Sequence, residues 1–150
     1  MAAKAGAKAA VKGMAQLRVL SGKATPSPAI GQALGPLGVN MVEFCKKFNE
    51  DTAKLTPGMP VPTLLTAFED RTYTFEMKTP PTSWFLKQVA GVDKGSRMPG
   101  KEFVGKVSVK QIYEIAKIKQ TDEHQEKVPM ESLSRSIAST AKSMGLRVVA

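Results

Sequence analysis

The sequence predicts an α+β chain in two parts: a small three-stranded sheet packed with helices over residues 14–78, then an all-α three-helix domain over residues 82–150. Three observations carry this reading. Residues 14–20 and 72–77 alternate apolar with polar side chains, which is the period of a half-buried strand. The sequence Lys78-Thr79-Pro80-Pro81 then interrupts the chain, because a residue before proline is pushed out of the helical region. We place the linker at residues 79–81. Beyond it apolar residues recur at spacings of three and four, as on one face of a helix.

Taken in order, residues 1–13 are rich in Ala, Gly and Lys and offer nothing to pack, so they read as a basic flexible tail. The tail is acid-free as transit peptides are, but with a single Arg near it, Arg18, it is a weak match to one. In residues 14–20, Leu17 and Val19 fall on one side and Gln16 and Arg18 on the other, a strand ended by Ser21-Gly22. Residues 22–38 are dense in Pro and Gly, which predicts an ordered loop leading into at most a short helix. Asn40 caps the next helix, with Glu43 three residues on in a capping-box pattern, and Met41, Phe44, Cys45 and Phe48 form its apolar stripe. Residues 61–68 and 72–77 are two strands of a hairpin joined at Glu69-Asp70-Arg71, with Tyr73, Phe75 and Met77 on one face.

In the second part a helix over residues 82–90 carries Trp84, Phe85 and Val89 and stops at Gly91. A Gly- and Lys-rich loop follows over residues 91–106. Ser108 with Gln111 forms a capping box opening a helix with Ile112, Ile115, Ala116 and Ile118. Pro129 introduces the last helix, in which Leu133, Ile137, Ala141 and Met144 make the buried stripe and Gly145 the stop.

Charge narrows the function. The chain has 150 residues and 22 Lys and Arg against 13 Asp and Glu, a net charge of +9, so an acidic polymer or surface is the expected partner. Residues 21–80 are balanced, and the excess sits in residues 1–20 and 81–150. One cysteine and one histidine, Cys45 and His124, exclude a disulfide framework, a cysteine-rich zinc site and most triad arrangements. Cys45 reads as a small buried hydrophobe and His124 as solvent-exposed in a polar turn. No apolar run approaches the length of a transmembrane helix, and neither a metal nor a cofactor is expected.

Two constellations point to RNA. Gly95 through Lys101 and Gly100 through Lys106 each begin like a phosphate loop, yet Glu102 and Val107 stand where a magnesium-binding hydroxyl is required. Flexible backbone with Lys94, Arg97, Lys101 and Lys106 reads either as a solvated loop or as one that contacts phosphates. On the last helix Ser136, Ser139, Thr140 and Ser143 share a face edged by Arg135 and Lys142. That face is either a Ser-rich solvent surface or one small enough to enter the shallow RNA minor groove and reach 2′-hydroxyls. Trp84 and Phe85 read as core, which leaves aromatic stacking on bases with little support.

Residues 22–38, residues 40–49 (Asn-Met-Val-Glu-Phe-Cys-Lys-Lys-Phe-Asn), residues 70–75, Lys78-Thr79-Pro80-Pro81, Ala90-Gly91-Val92 and Thr140-Ala141-Lys142-Ser143-Met144-Gly145 resemble, in that order, the large-subunit ribosomal protein eleven family. Residues 113–120, Thr82-Ser83-Trp84 and the Arg147 ending look more like its mitochondrial branch, with bacterial or other organellar ribosomes as the alternative. The resemblance implies a non-enzymatic protein at the stalk base, bound to large-subunit rRNA at the GTPase-associated centre. Its further partners would be stalk protein ten and the translational GTPases, with no membrane. Lys87, Lys94, Gly95, Ser96, Arg97, Lys101 and Lys106 would contact rRNA from the loop side, where relatives order on RNA. Ser136, Ser139, Thr140, Lys142, Ser143 and Gly145 would do so from the last helix.

The segment holding Lys23, Thr25, Pro26, Ser27, Pro28, Ala29 and Gln32 would face factors and thiopeptide antibiotics. Here the chain departs from the family, which usually has proline where Ala29 and Gln32 stand; weakened thiopeptide binding is expected. Ser139 replaces a usual glycine, which adds a hydroxymethyl group at the closest backbone approach. A free RNA- or DNA-binding regulator is the alternative class that charge and helices equally serve.

Overall fold

The computed structural model describes residues 10–150. They fold as two units that divide between Lys78 and Thr79. Residues 1–9 of the expected flexible tail lie outside the described residues, and its last three, Val11 to Gly13, are not a tail but part of the first strand.

In the first unit β1 (Val11–Leu20), β2 (Pro60–Phe68) and β3 (Tyr73–Met77) form an antiparallel sheet with β2 in the middle. Along β2 every second side chain is buried (Val61, Thr63, Leu65, Ala67), and Leu17 and Val19 of β1 continue that face. Pro62 is tolerated in a central strand because its carbonyl accepts from the Lys78 amide, beyond the end of β3. The N–H it lacks would have pointed the same way, toward Lys78 and away from β1, so the β1–β2 ladder is intact and at most one terminal bond is lost.

Two helices cover the apolar face, α1 (Pro28–Leu34) and α2 (Met41–Thr52). Phe44, Cys45 and Phe48 of α2 are buried as their spacing predicts, and the Phe44 ring meets Phe75 and Phe48 at 5.7 and 5.9 Å between centroids. Burial also pushes the Cys45 thiol pKa up, which keeps it protonated and unreactive. Asn40 caps α2 by accepting from the Val42 amide. Met77 lies on the predicted apolar side of β3 but is 41% exposed.

The second unit holds α3 (Thr82–Ala90), β4 (Gly105–Ser108), α4 (Val109–Gln120), α5 (Met130–Ser143) and β5 (Leu146–Val149). Its three helices stand where periodicity places them, yet the unit is not all-α. β4 and β5 pair in parallel, Gly105 opposite Leu146 through Ser108 opposite Val149. Val107 and Leu146 are buried in the helical core with Leu86, Ile112, Ile115, Ala116, Leu133, Ile137 and Ala141, so the backbone that carries them inward must pair its own polar groups. The ribbon does this.

The start of α4 and the end of α3 follow their local chemistry. The Ser108 hydroxyl accepts from the Gln111 amide while the Gln111 side chain accepts from the Ser108 amide, completing the predicted capping box. Gly91 ends α3 in the left-handed conformation at φ 65°. Two core assignments change: Leu86 rather than Trp84 or Val89 is the buried residue of α3, and Ile118 is exposed; Lys119, which the sequence does not single out, is buried. The last is explained by its partners, since its ammonium donates to the Thr79 hydroxyl (2.8 Å) and to Asp122 (3.1 Å).

Candidate nucleic-acid interface

The C-terminal end of α5 is where the candidate residues converge. Ser136, Ser139, Lys142 and Ser143 are exposed on the side away from Leu133, Ile137 and Ala141, and Thr140 is half-buried at the edge of that buried stripe. The hydroxyls of Ser139 and Thr140 donate to the Arg135 and Ser136 carbonyls one turn back, each at 3.0 Å, and Ser143 donates to Thr140 at 2.8 Å. With their protons spent on the helix, these oxygens present lone pairs outward. They form a row of acceptors matched to ligand hydroxyl donors. Arg135 is paired with Glu131, in an exposed ion pair that is screened by solvent.

The loop before β4 is fastened to the end of this helix. The Ser96 amide donates to the Met144 carbonyl and the Val104 amide to the Gly145 carbonyl, both at 2.9 Å. Gly145 is buried at φ 76°, and a Cβ there would overlap Ser96 and stand 3.0 Å from the Glu102 carbonyl. A Cβ on Gly95 would stand 3.1 Å from the Met144 carbonyl. Two glycines therefore let loop and helix end touch backbone to backbone. Within the loop the Ser96 hydroxyl accepts from the Met98 amide, and the Lys101 and Glu102 amides donate to the Met98 carbonyl, a turn that holds Arg97 and Lys101 out to solvent.

Of the candidate residues, Gly95, Ser96 and Gly145 thus meet at one corner, two residues along the chain from Ser143, with Lys94, Arg97 and Lys101 exposed on the same loop. Lys106 is not in the loop but on β4, paired with Arg147 of β5. Both are exposed, and like charges held side by side repel unless an anion bridges them. Arg147 is a candidate that the sequence alone does not single out, because only the ribbon places it beside Lys106. Lys87, half-buried in the last turn of α3, makes no side-chain hydrogen bond or ion pair among the described residues.

The other candidate segment lies in the first unit. It is held from behind: Asn49 of α2 donates to the Ala24 carbonyl and accepts from its amide (3.0 and 2.9 Å), and Thr52 accepts from the Gly22 amide. Thr25, Pro26, Pro28, Ala29 and Gln32 are left exposed. Lys23, Thr25, Ser27 and Ala29 line a cleft of ≈ 290 Å³ with Arg18 of β1, whereas Pro26, Pro28 and Gln32 lie outside it. Pro28 takes the first position of α1, where its fixed φ suits a helix start.

Among the described residues no group of His, Cys, Asp and Glu is placed to hold a metal ion, and no helix is long and apolar enough to cross a membrane. His124 is exposed. Comparison with known families returns two matches in tandem: residues 15–73 match the family described as ribosomal protein L11, N-terminal domain, and residues 78–148 match ribosomal protein L11, RNA binding domain. With both units accounted for in this order, the chain belongs to the large-subunit ribosomal protein L11 family, structural rRNA-binding proteins of the ribosome.

Proposed function

We propose that the chain binds the folded rRNA of the GTPase-associated centre through the corner of α5 and the loop before β4, and forms the base of the stalk there. The observation that carries this is the backbone contact between Ser96 and Met144, which makes one surface of the basic loop and the hydroxyl row. Acceptors at the centre suit ribose 2′-hydroxyls in a shallow minor groove, and Lys94, Arg97, Lys101, Lys142 and the Lys106–Arg147 pair suit the flanking phosphates. The role is structural, with no catalytic step. The first unit presents the Pro26–Pro28 segment to translational GTPases, stalk protein ten is a further partner of the chain, and the likeness of residues 113–120 supports a mitochondrial ribosome.

The test is titration of the full chain with the GTPase-associated-centre rRNA fragment and with a scrambled duplex, over a salt series. Specific binding that survives added salt is expected; equal binding to both RNAs with a steep salt slope overturns the reading. Retention on large subunits through a high-salt wash separates a ribosomal component from a free regulator. For the first unit, Ala29 and Gln32 in place of prolines predict weak thiopeptide binding, and tight protein-dependent binding of thiostrepton to the reconstituted complex would remove that idea.

A further inference from the structure

Phe103 stands out in the second unit because the residue is 58% exposed. The unit's other aromatics have partners: Trp84 and Phe85 meet edge to face at 5.3 Å, and the Tyr113 ring lies 4.7 Å from the Lys117 ammonium. Phe103 has neither among the described residues, yet its backbone is held on both sides. The carbonyl of Glu102 abuts Gly145, the Val104 amide donates to the Gly145 carbonyl, and Gly105 opens the β4 ladder opposite Leu146. A ring on so fixed a backbone has only two side-chain torsions to lose on binding.

From this placement we infer that Phe103 is a stacking platform on which an unpaired base of the bound RNA rests. Its surroundings identify the occupant. Exposed Lys101 and Lys106 flank it in sequence and Arg147 lies beside Lys106, against the single acid Glu102 next to it, so the net charge around the ring is positive and favours an occupant that carries negative charge. The same backbone contacts join it to the hydroxyl row of α5, which matches ribose and has no use for a lipid tail. A base offers a π-face to the ring while its phosphates reach the cations. Met98 and Val104, also exposed, widen the apolar surface at this loop. The stacking role rests on the RNA-binding reading above, and it adds an affinity component that salt does not screen.

The experiment titrates the full chain and its Phe103→Ala, Phe103→Leu and Phe103→Trp variants with the GTPase-associated-centre fragment at several salt concentrations. Thermal melting of each variant is recorded alongside to establish that the fold is intact. Phe103→Ala is expected to weaken binding about tenfold at every salt concentration, the effect typical of losing one base–aromatic stack, with the salt slope unchanged. Phe103→Trp retains affinity. Wild-type affinity in Phe103→Ala, or in Phe103→Leu, overturns the proposal, since in the second case apolar bulk would suffice. Phosphatidylserine-containing vesicles are titrated in parallel, and a loss in Phe103→Ala confined to vesicle binding overturns the proposal as well. Failure of the wild-type chain to prefer the fragment over a scrambled duplex overturns the parent reading instead.

Discussion

The amide of Ser96 donates to the carbonyl of Met144 at 2.9 Å, and Gly145 follows at once at φ 76° with no room for a side chain. Gly145→Ala is therefore expected to cost about 1–2 kcal/mol for the left-handed backbone alone, and more for the overlap with Ser96. Gly91→Ala is the control, since Gly91 has the same backbone conformation at φ 65° but open space around it. Denaturant titration of both variants should show Gly145→Ala as the more destabilised. Only Gly145→Ala should also lose RNA affinity, because only there does the loop have to move off the helix end.

That corner marks the boundary of what is legible in the sequence. Features made by neighbours along the chain are plain: the Ser108–Gln111 box, the α2 stripe of Phe44, Cys45 and Phe48, and the stop at Gly91. Features made by distant segments are not. Lys106-Val107-Ser108 and Leu146-Arg147-Val148-Val149 are too short to show alternation, and each becomes a strand only because the other lies beside it. Nothing in the sequence marks Lys119 as buried; Thr79 and Asp122 surround its ammonium only in the fold. The hydroxyl row and the basic loop are each visible as patterns, but their junction through Gly95 and Gly145 depends on the fold. Phe103 is hidden for a related reason, because nothing local distinguishes an exposed aromatic from a buried one.

The hydroxyl row and the cations should separate in a salt series. Thr140→Ala and Ser143→Ala each remove an outward acceptor whose proton is already bound to the helix. Each is expected to weaken specific binding by about 0.5–1.5 kcal/mol, the net worth of one hydrogen bond, at an unchanged salt slope. Replacement of either residue by Leu should cost more, because bulk holds the helix backbone off the groove.

For Lys106 and Arg147, paired on adjacent strands, the signature is the reverse. Removing either to Ala is expected to flatten the dependence of log K on log salt by roughly 0.7–0.9, the share of a single neutralised phosphate, for specific and scrambled RNA alike. The free protein should be no less stable without one of them, since two like charges held side by side repel. A stability loss comparable to that of Gly145→Ala would mean the pair serves the ribbon and not a ligand.

The Thr79, Lys119 and Asp122 cluster predicts how stability depends on pH. Burial pushes the Asp122 carboxyl pKa up, but hydrogen bonds from the Thr79 amide (2.8 Å) and hydroxyl (2.7 Å) and from the Lys119 ammonium outweigh it and hold the pKa below its usual value. Because the folded pKa is depressed, the carboxylate contributes stability that is fully present above its unfolded value, about 3.9, and lost as the pH falls through the folded one. Asp122→Asn keeps an acceptor but leaves the Lys119 ammonium, whose side chain is 10% exposed, without its counter-charge. At pH 7 the variant should be about 2 kcal/mol less stable than the wild type. The gap between them should narrow as the pH drops below about 3.9, where the unfolded chain takes up the proton, and go on narrowing until the folded carboxylate is protonated as well. Urea titrations at pH 7, 5 and 3 measure this, and a gap that stays constant down to the lowest pH would show that the carboxylate charge contributes nothing.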